Sequence, residues 1–293
     1  MSSYRGRFAP SPTGPLHLGS LVAAVGSYIR AKSQDGVWLI RIEDIDPPRE
    51  EQGATEQIQQ SLNAHHLIPD EPILYQHDRL SAYQAVLQQL GASGHLYWCD
   101  CTRSTIRATL EDPDGPIIYP GICRQRNLDA EQGRALRVRT NDEITGFSDL
   151  YIGRFEQNLN QETGDFVLRR ADGLYSYQLA VVVDDAFQNI TEVVRGQDLF
   201  DNTSRQIHLQ KLLGYQTPDY IHLPLVLNDD GQKLSKQNHA PALKNDRAQE
   251  NLNQALTLLG YPEEIFKKQT GCQDVLEKAI DYEKQNPQLI KNI

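Results

Sequence analysis

The 293 residues carry 29 basic and 39 acidic side chains, a net charge of −10, with 39% hydrophobic and 23% charged residues. That composition leaves ample chain for a core of about two domains, and excludes a disordered, collagenous or disulfide-scaffold protein and one that coats nucleic acid non-specifically. Mean hydropathy is −0.55, no apolar run reaches the roughly eighteen residues of a membrane helix, and no apolar stretch follows the N-terminal Met-Ser-Ser-Tyr-Arg-Gly-Arg, so a cytoplasmic protein without a signal or a membrane partner is expected.

In chain order, a short strand over 5–11 is broken by Pro10, Pro12, Gly14 and Pro15. Leu18, Leu21, Val22, Val25 and Ile29 then recur at helical spacing, with Gly19, Ala23, Ala24 and Gly26 allowing close packing on a sheet. Val37–Ile42 reads as a buried parallel strand, which completes a βαβ unit and leaves Glu43, Asp44 and Asp46 where open α/β sheets place ligand-binding groups. Helices are predicted over 54–67, 82–90, 177–183 and 204–213, with strands over 165–170 and 191–195, and helical periodicity returns at Leu252, Ala255, Leu256 and Leu259 and again at Val275, Leu276, Ala279 and Ile280. The fold class expected is α/β: a Rossmann-like doubly wound parallel sheet with an inserted segment and a short helical C-terminal segment. The expected divisions are 1–96 and 141–240 for the halves of the catalytic domain, 97–140 for the insertion and 241–293 for the helical segment.

The inserted segment holds Cys99, Cys101 and Cys123 within 25 residues. A reducing compartment disfavours disulfides and a Cys-x-Cys bridge closes a strained ring, so a structural zinc site is the preferred reading, although three local thiols fall one short of four ligands. Arg124, Arg126, Arg134, Arg137 and Arg139 form either a phosphate-facing patch or a solvated face of mixed charge. Asp184 and Asp185, at the end of a predicted helix, are candidate cation ligands but read more readily as surface charge.

Two segments carry the chemistry. Residues 7–19, Arg-Phe-Ala-Pro-Ser-Pro-Thr-Gly-Pro-Leu-His-Leu-Gly, form a glycine turn that enters a helix, where backbone N–H groups and the helix dipole suit an anion such as a nucleotide phosphate; His17 and Gly19 stand there together. Residues 228–236, Asn-Asp-Asp-Gly-Gln-Lys-Leu-Ser-Lys, form a polar loop whose Lys233 and Lys236 suit a triphosphate.

The pair His17-Leu-Gly19 and Lys233-Leu-Ser-Lys236 resembles the HIGH and KMSKS signatures of class I aminoacyl-tRNA synthetases. With residues 7–14, the run Arg-Ile-Glu-Asp-Ile-Asp at 41–46 and Val-Arg-Gly-Gln-Asp at 194–198, the chain is similar to the glutamyl-tRNA synthetase family. Only 56 residues follow residue 237, too few for that family's anticodon-binding region. The shortened form with a Cys-x-Cys pair is similar to the glutamyl-Q tRNA(Asp) synthetases.

The resemblance implies tRNA-independent activation of L-glutamate by ATP, then transfer to queuosine in the anticodon of tRNA(Asp); a monomer is expected. It places Arg7, Phe8, Ala9, Pro10, Ser11, Glu43, Tyr177 and Arg195 at glutamate; of these, Arg7 and Arg195 suit the side-chain carboxylate and Glu43 the ammonium. It places His17, Gly19, Lys233, Ser235 and Lys236 at ATP, with His17, Gly19, Lys233 and Lys236 serving catalysis and Mg²⁺ accompanying the nucleotide. For a structural Zn²⁺ it gives Cys99, Cys101, Tyr119 and Cys123, His95 or water being alternatives for the fourth position. Two other activities fit the motifs: a truncated synthetase that charges a tRNA 3′ end with glutamate, and an inactive synthetase-like binding module.

Overall fold

The computed structural model describes residues 3–110, 112, 114–226 and 241–287. The chain opens with β1 (Arg5–Phe8), α1 (Leu18–Ser33) and β2 (Val37–Ile42), followed by α2 (Ala54–Ala64), β3 (Leu74–Tyr75) and α3 (Leu80–Ala92). The strands run parallel in the order β1-β2-β3. Helix α1 starts at His17, whose ring nitrogen accepts from the Ser20 N–H while the Ser20 hydroxyl accepts from the His17 N–H, a reciprocal cap that satisfies two N-terminal donors. Gly36 lets the chain turn back into β2, because a Cβ there would lie 2.6 Å from the Tyr4 carbonyl oxygen.

Next come β4 (Leu96–Cys99), α4 (Arg103–Arg107), β5 (Ala135–Val138), β6 (Ile144–Asp149), β7 (Gly153–Asn158), α5 (Leu159–Glu162) and β8 (Phe166–Arg169). The chain continues through α6 (Tyr177–Phe187), β9 (Glu192–Gly196), α7 (Thr203–Leu213), β10 (Asp219–Leu223), α8 (Ala248–Leu258) and α9 (Cys272–Gln285). Strands β6, β10 and β9 are parallel, and β7 adds an antiparallel edge. This sheet abuts the first: the Thr191 N–H donates to the Arg5 carbonyl at 2.9 Å, and the Arg5 N–H to the Thr191 hydroxyl at 2.9 Å.

One expectation needs correction. The strand read over 165–170 does not join the parallel layer; as β8 it pairs antiparallel with β5, which pairs antiparallel with β4. An apolar alternation marks a strand but not its partner, and here the partner lies about 30 residues upstream. The α/β layer is therefore accompanied by a separate antiparallel sheet.

The main core joins α1, β2 and the C-terminal helices: Leu21, Val25 and Ile29 cluster with Leu252, Leu256, Val275 and Ala279. A buried ion cluster ties these parts together. Arg30 of α1 meets Glu192 of β9 at 2.9 Å and Glu283 of α9 at 3.4 Å, while Tyr4 and Tyr261 donate to the two carboxylates. Among the described residues no helix is long and apolar enough to cross a membrane.

Candidate active site

A cavity of about 330 Å³ opens at the carboxyl ends of the parallel strands, the place where open α/β sheets bind ligands. Strand β1 brings Arg7 and Phe8 and leads into Ala9, Pro10 and Ser11; Glu43 follows β2; Arg195 comes from β9 and Tyr177 from the first turn of α6; His17 and Gly19 come from the start of α1. The cavity thus brings together every described residue expected at glutamate or ATP. Lys233, Ser235 and Lys236 lie outside the described residues; Leu225 and Val226, a few residues before them, line the cavity.

On the Arg7 side the charges are compensated within the protein. Arg7, 3% exposed, donates through Nε and Nη2 to Asp185 Oδ1 and Oδ2 at 3.1 and 3.3 Å. Arg41, fully buried, reaches Asp185 at 2.8 Å and Glu43 at 3.5 Å, and donates to Gln188 Oε1 at 2.8 Å. Burial pushes the Asp185 carboxyl up, but Arg7 and Arg41 outweigh it and hold it below the usual carboxylate range. Burial pushes Glu43 up to about 7, with Arg41 and Arg7 pulling it down and Asp185 and Asp184 opposing them.

The placement of Asp184 and Asp185 corrects their reading as surface charge. Both are buried; Asp184 accepts from Gln76, Tyr83 and Arg79 at 2.9, 2.6 and 3.1 Å. Helix α6 is enclosed between α3, α7 and β8, so position near a helix end does not imply exposure.

The Arg195 side is built differently. Arg195, 5% exposed, donates through Nε to His222 Nε2 at 3.0 Å, through Nη1 to Gln206 Oε1 at 2.9 Å and the Tyr177 hydroxyl at 3.3 Å, and through Nη2 to the Thr203 hydroxyl at 2.8 Å and the Leu199 carbonyl at 3.4 Å. All these partners are uncharged, and among the described residues no carboxylate pairs with it. A buried cation left in this state costs several kcal/mol unless an anion joins it. An anionic group entering the cavity supplies that partner.

Sequence reasoning did not single out Asp149, Gln206, Thr203 or His222, and it noticed Asp185 only as surface charge. His222 alone left a signal, a polar residue inside the apolar run 221–226; the others show their roles only once distant segments meet.

The cysteines form a second cluster. The Cys99, Cys101 and Cys123 sulfurs lie within 4.8 Å of one another, with Cys101 and Cys123 3.4 Å apart, and the Tyr119 hydroxyl is 3.4 Å from Cys99 and 3.9 Å from Cys101. Gly164 makes this possible: its φ is +70°, and a Cβ there would sit 2.1 Å from the Tyr119 carbonyl oxygen. Cys272, at the start of α9, is not among these thiols. Three of the five arginines turn inward, Arg124 pairing with Asp165 and Arg137 and Arg139 lying over the rings of Tyr119 and Tyr97, while Arg126 stays exposed and pairs with Asp100 at 2.6 Å. These contacts staple the segment and leave little of a phosphate-facing patch.

The model of the class I tRNA synthetase (E and Q) catalytic domain matches residues 3–288. The glutamyl-Q tRNA(Asp) synthetase of Dechloromonas aromatica is 53% identical over 261 residues, covering 88% of this chain and 87% of its own. That of Idiomarina loihiensis is 47% identical over 277 residues, covering 94% and 95%. The chain belongs to the glutamyl-Q tRNA(Asp) synthetase family. It is accordingly an enzyme, a ligase of the class I aminoacyl-tRNA synthetase type. In structure it is similar to a glutamate tRNA ligase of Elizabethkingia meningosepticum, solved in complex with its amino acid, with a TM-score of 0.80 and 26% identity over 98% of this chain and 70% of the other. The α/β fold expected for the synthetase is thus shared with a glutamate ligase.

Proposed function

We propose that this synthetase activates L-glutamate with ATP without tRNA, and transfers the glutamyl group to queuosine in the anticodon of tRNA(Asp). The observation that carries the glutamate half is Arg195, a buried guanidinium whose described partners are all neutral, beside Arg7 and Glu43 in one cavity. The γ-carboxylate meets Arg195, with Arg7 aimed beside it, and the ammonium meets Glu43; Phe8, Ala9, Pro10, Ser11 and Tyr177 shape the remaining wall.

In the first step a substrate α-carboxylate oxygen attacks the α-phosphorus of ATP and pyrophosphate leaves. No protein nucleophile is needed, so positioning and charge stabilisation carry the rate. His17 and Gly19, at the positive end of α1, hold the nucleotide, and Lys233, Ser235 and Lys236 meet its phosphates. Mg²⁺ travels with ATP, bound chiefly by phosphate oxygens and water. In the second step a queuosine hydroxyl attacks the glutamyl carbonyl and AMP leaves. The acceptor is supported by the names of the relatives.

The three clustered thiols and the Tyr119 hydroxyl fit one structural Zn²⁺, with Cys99, Cys101, Tyr119 and Cys123 as its ligands. Bound there, zinc would supply cross-linking rather than reaction chemistry. His95 is absent from the described cluster. In this reading 1–96 and 141–240 form the catalytic domain, 97–140 the zinc insertion, and 241–293 a helical segment.

The deciding experiment is ATP–pyrophosphate exchange without tRNA, expected to depend on glutamate; no exchange with zinc-replete protein favours an inactive binding module. Labelled glutamate transferred to tRNA(Asp) should require queuosine and, after ribonuclease cleavage, remain on the anticodon fragment. Label on the 3′-terminal fragment would establish a 3′-charging synthetase instead.

A further inference from the structure

Accepting the glutamate reading of the cavity, we propose that His222, fixed by Asp149, is the positioning residue that makes Arg195 distinguish a side-chain carboxylate from a side-chain amide. His222 is fully buried on β10. Its Nδ1 lies 2.6 Å from Asp149 Oδ2, and its Nε2 lies 3.0 Å from Arg195 Nε and 3.2 Å from the Thr203 hydroxyl. A guanidinium nitrogen only donates, so Nε2 holds a lone pair and the ring proton sits on Nδ1, donated to Asp149. The Thr203 hydroxyl braces the same pair: it accepts from Arg195 Nη2 at 2.8 Å and lies 3.2 Å from Nε2.

Asp149 is itself immobilised. Its Oδ1 accepts the N–H groups of Tyr151 and Ile152 at 2.9 and 2.8 Å, and its Oδ2 accepts the His222 N–H at 3.1 Å in addition to the ring proton. Phe200 stands edge-on to the imidazole at 5.1 Å and Tyr220 lies parallel to it at 6.0 Å. Burial pushes His222 toward its neutral form, reinforced by the Arg195 charge and opposed by Asp149.

The consequence is electrostatic. On the other wall Asp185 touches Arg7 directly and, shared with Arg41, offsets part of its charge. Here the carboxylate of Asp149 is set back by one ring, so Arg195 is oriented by a neutral acceptor and keeps its charge for the ligand. Glutamate supplies the missing anion. Glutamine supplies a dipole whose NH₂ end cannot accept from a guanidinium, and it leaves the buried charge uncompensated.

Two measurements test this. In long-range proton–nitrogen spectra of the wild-type enzyme, His222 should show a pyrrole-type Nδ1 and a pyridine-type Nε2 throughout pH 6–8; a cationic ring or the opposite tautomer overturns the arrangement, and this readout needs no activity. In exchange assays His222→Asn, with His222→Gln as a second variant, should raise the glutamate KM about tenfold with kcat within about threefold and the ATP KM unmoved, and should cut glutamate-over-glutamine discrimination about tenfold. Unchanged discrimination, or equal rises in both KM values as from general loosening, overturns the role. Absence of glutamate-dependent exchange in the wild type sinks the reading of the cavity and the discrimination with it, while the nitrogen spectra still decide the tautomer.

Discussion

Arg7 and Arg195 line one cavity at 3% and 5% exposure, and they differ in what surrounds the guanidinium. Arg7 is gripped by Asp185, which Arg41 shares, so its charge is partly offset before any ligand arrives. Arg195 is held as firmly, but by an imidazole, an amide, a hydroxyl and a carbonyl. The first arrangement ties distant segments together and aims a donor; in the proposed function the second holds a charge in reserve for the substrate. On that proposal, two arginines serve one carboxylate while only one of them lacks a carboxylate partner among the described residues.

The largest test of that contrast is Arg195→Ala. It should lower kcat/KM for glutamate in the exchange assay by about 10²–10³, the loss of a buried charge-assisted contact worth roughly 2–5 kcal/mol, while thermal stability holds because no carboxylate is orphaned. Activity within tenfold of wild type would break the comparison. Asp185→Asn should show the reverse emphasis. Leaving Arg7 and Arg41 buried without their shared anion should cost about 3–5 kcal/mol, seen as a Tm lower by at least about 6 °C; an unshifted Tm would mean that Arg7 is not a structural charge.

Smaller effects sharpen the picture. Cys99→Ser should lower zinc content, measured by metal analysis, and destabilise the cysteine segment by about 2 kcal/mol or more, as loss of a structural tie does; unchanged stoichiometry removes the zinc assignment. Glu43 gives the mildest test. Its carboxyl must be ionised to hold the ammonium, so the glutamate KM should rise as pH falls through about 7; Glu43→Gln should raise that KM and flatten the profile. Stability carries the opposite sign. The folded state holds a proton on Glu43 between pH 4.5 and about 7 that the unfolded chain has released, so its contribution falls as pH rises through that window. Glu43→Gln should then melt higher than wild type at pH 8.

The sequence by itself determined the βαβ opening, most helices and the motif residues, because periodicity, proline breaks and glycine turns act over a few neighbouring residues. It also brought forward Arg7, Glu43, Tyr177 and Arg195, through local runs such as Arg-Ile-Glu-Asp-Ile-Asp and Val-Arg-Gly-Gln-Asp. Only the tertiary structure decided that β8 turns to an antiparallel partner, that Asp184 and Asp185 face inward, and that His222 rather than an acid stands behind Arg195. Those outcomes depend on segments up to 178 residues apart meeting in a low-dielectric interior, as Arg7 meets Asp185. There, the charge balance of a buried group is set by whichever side chain the packing delivers, which no local pattern encodes.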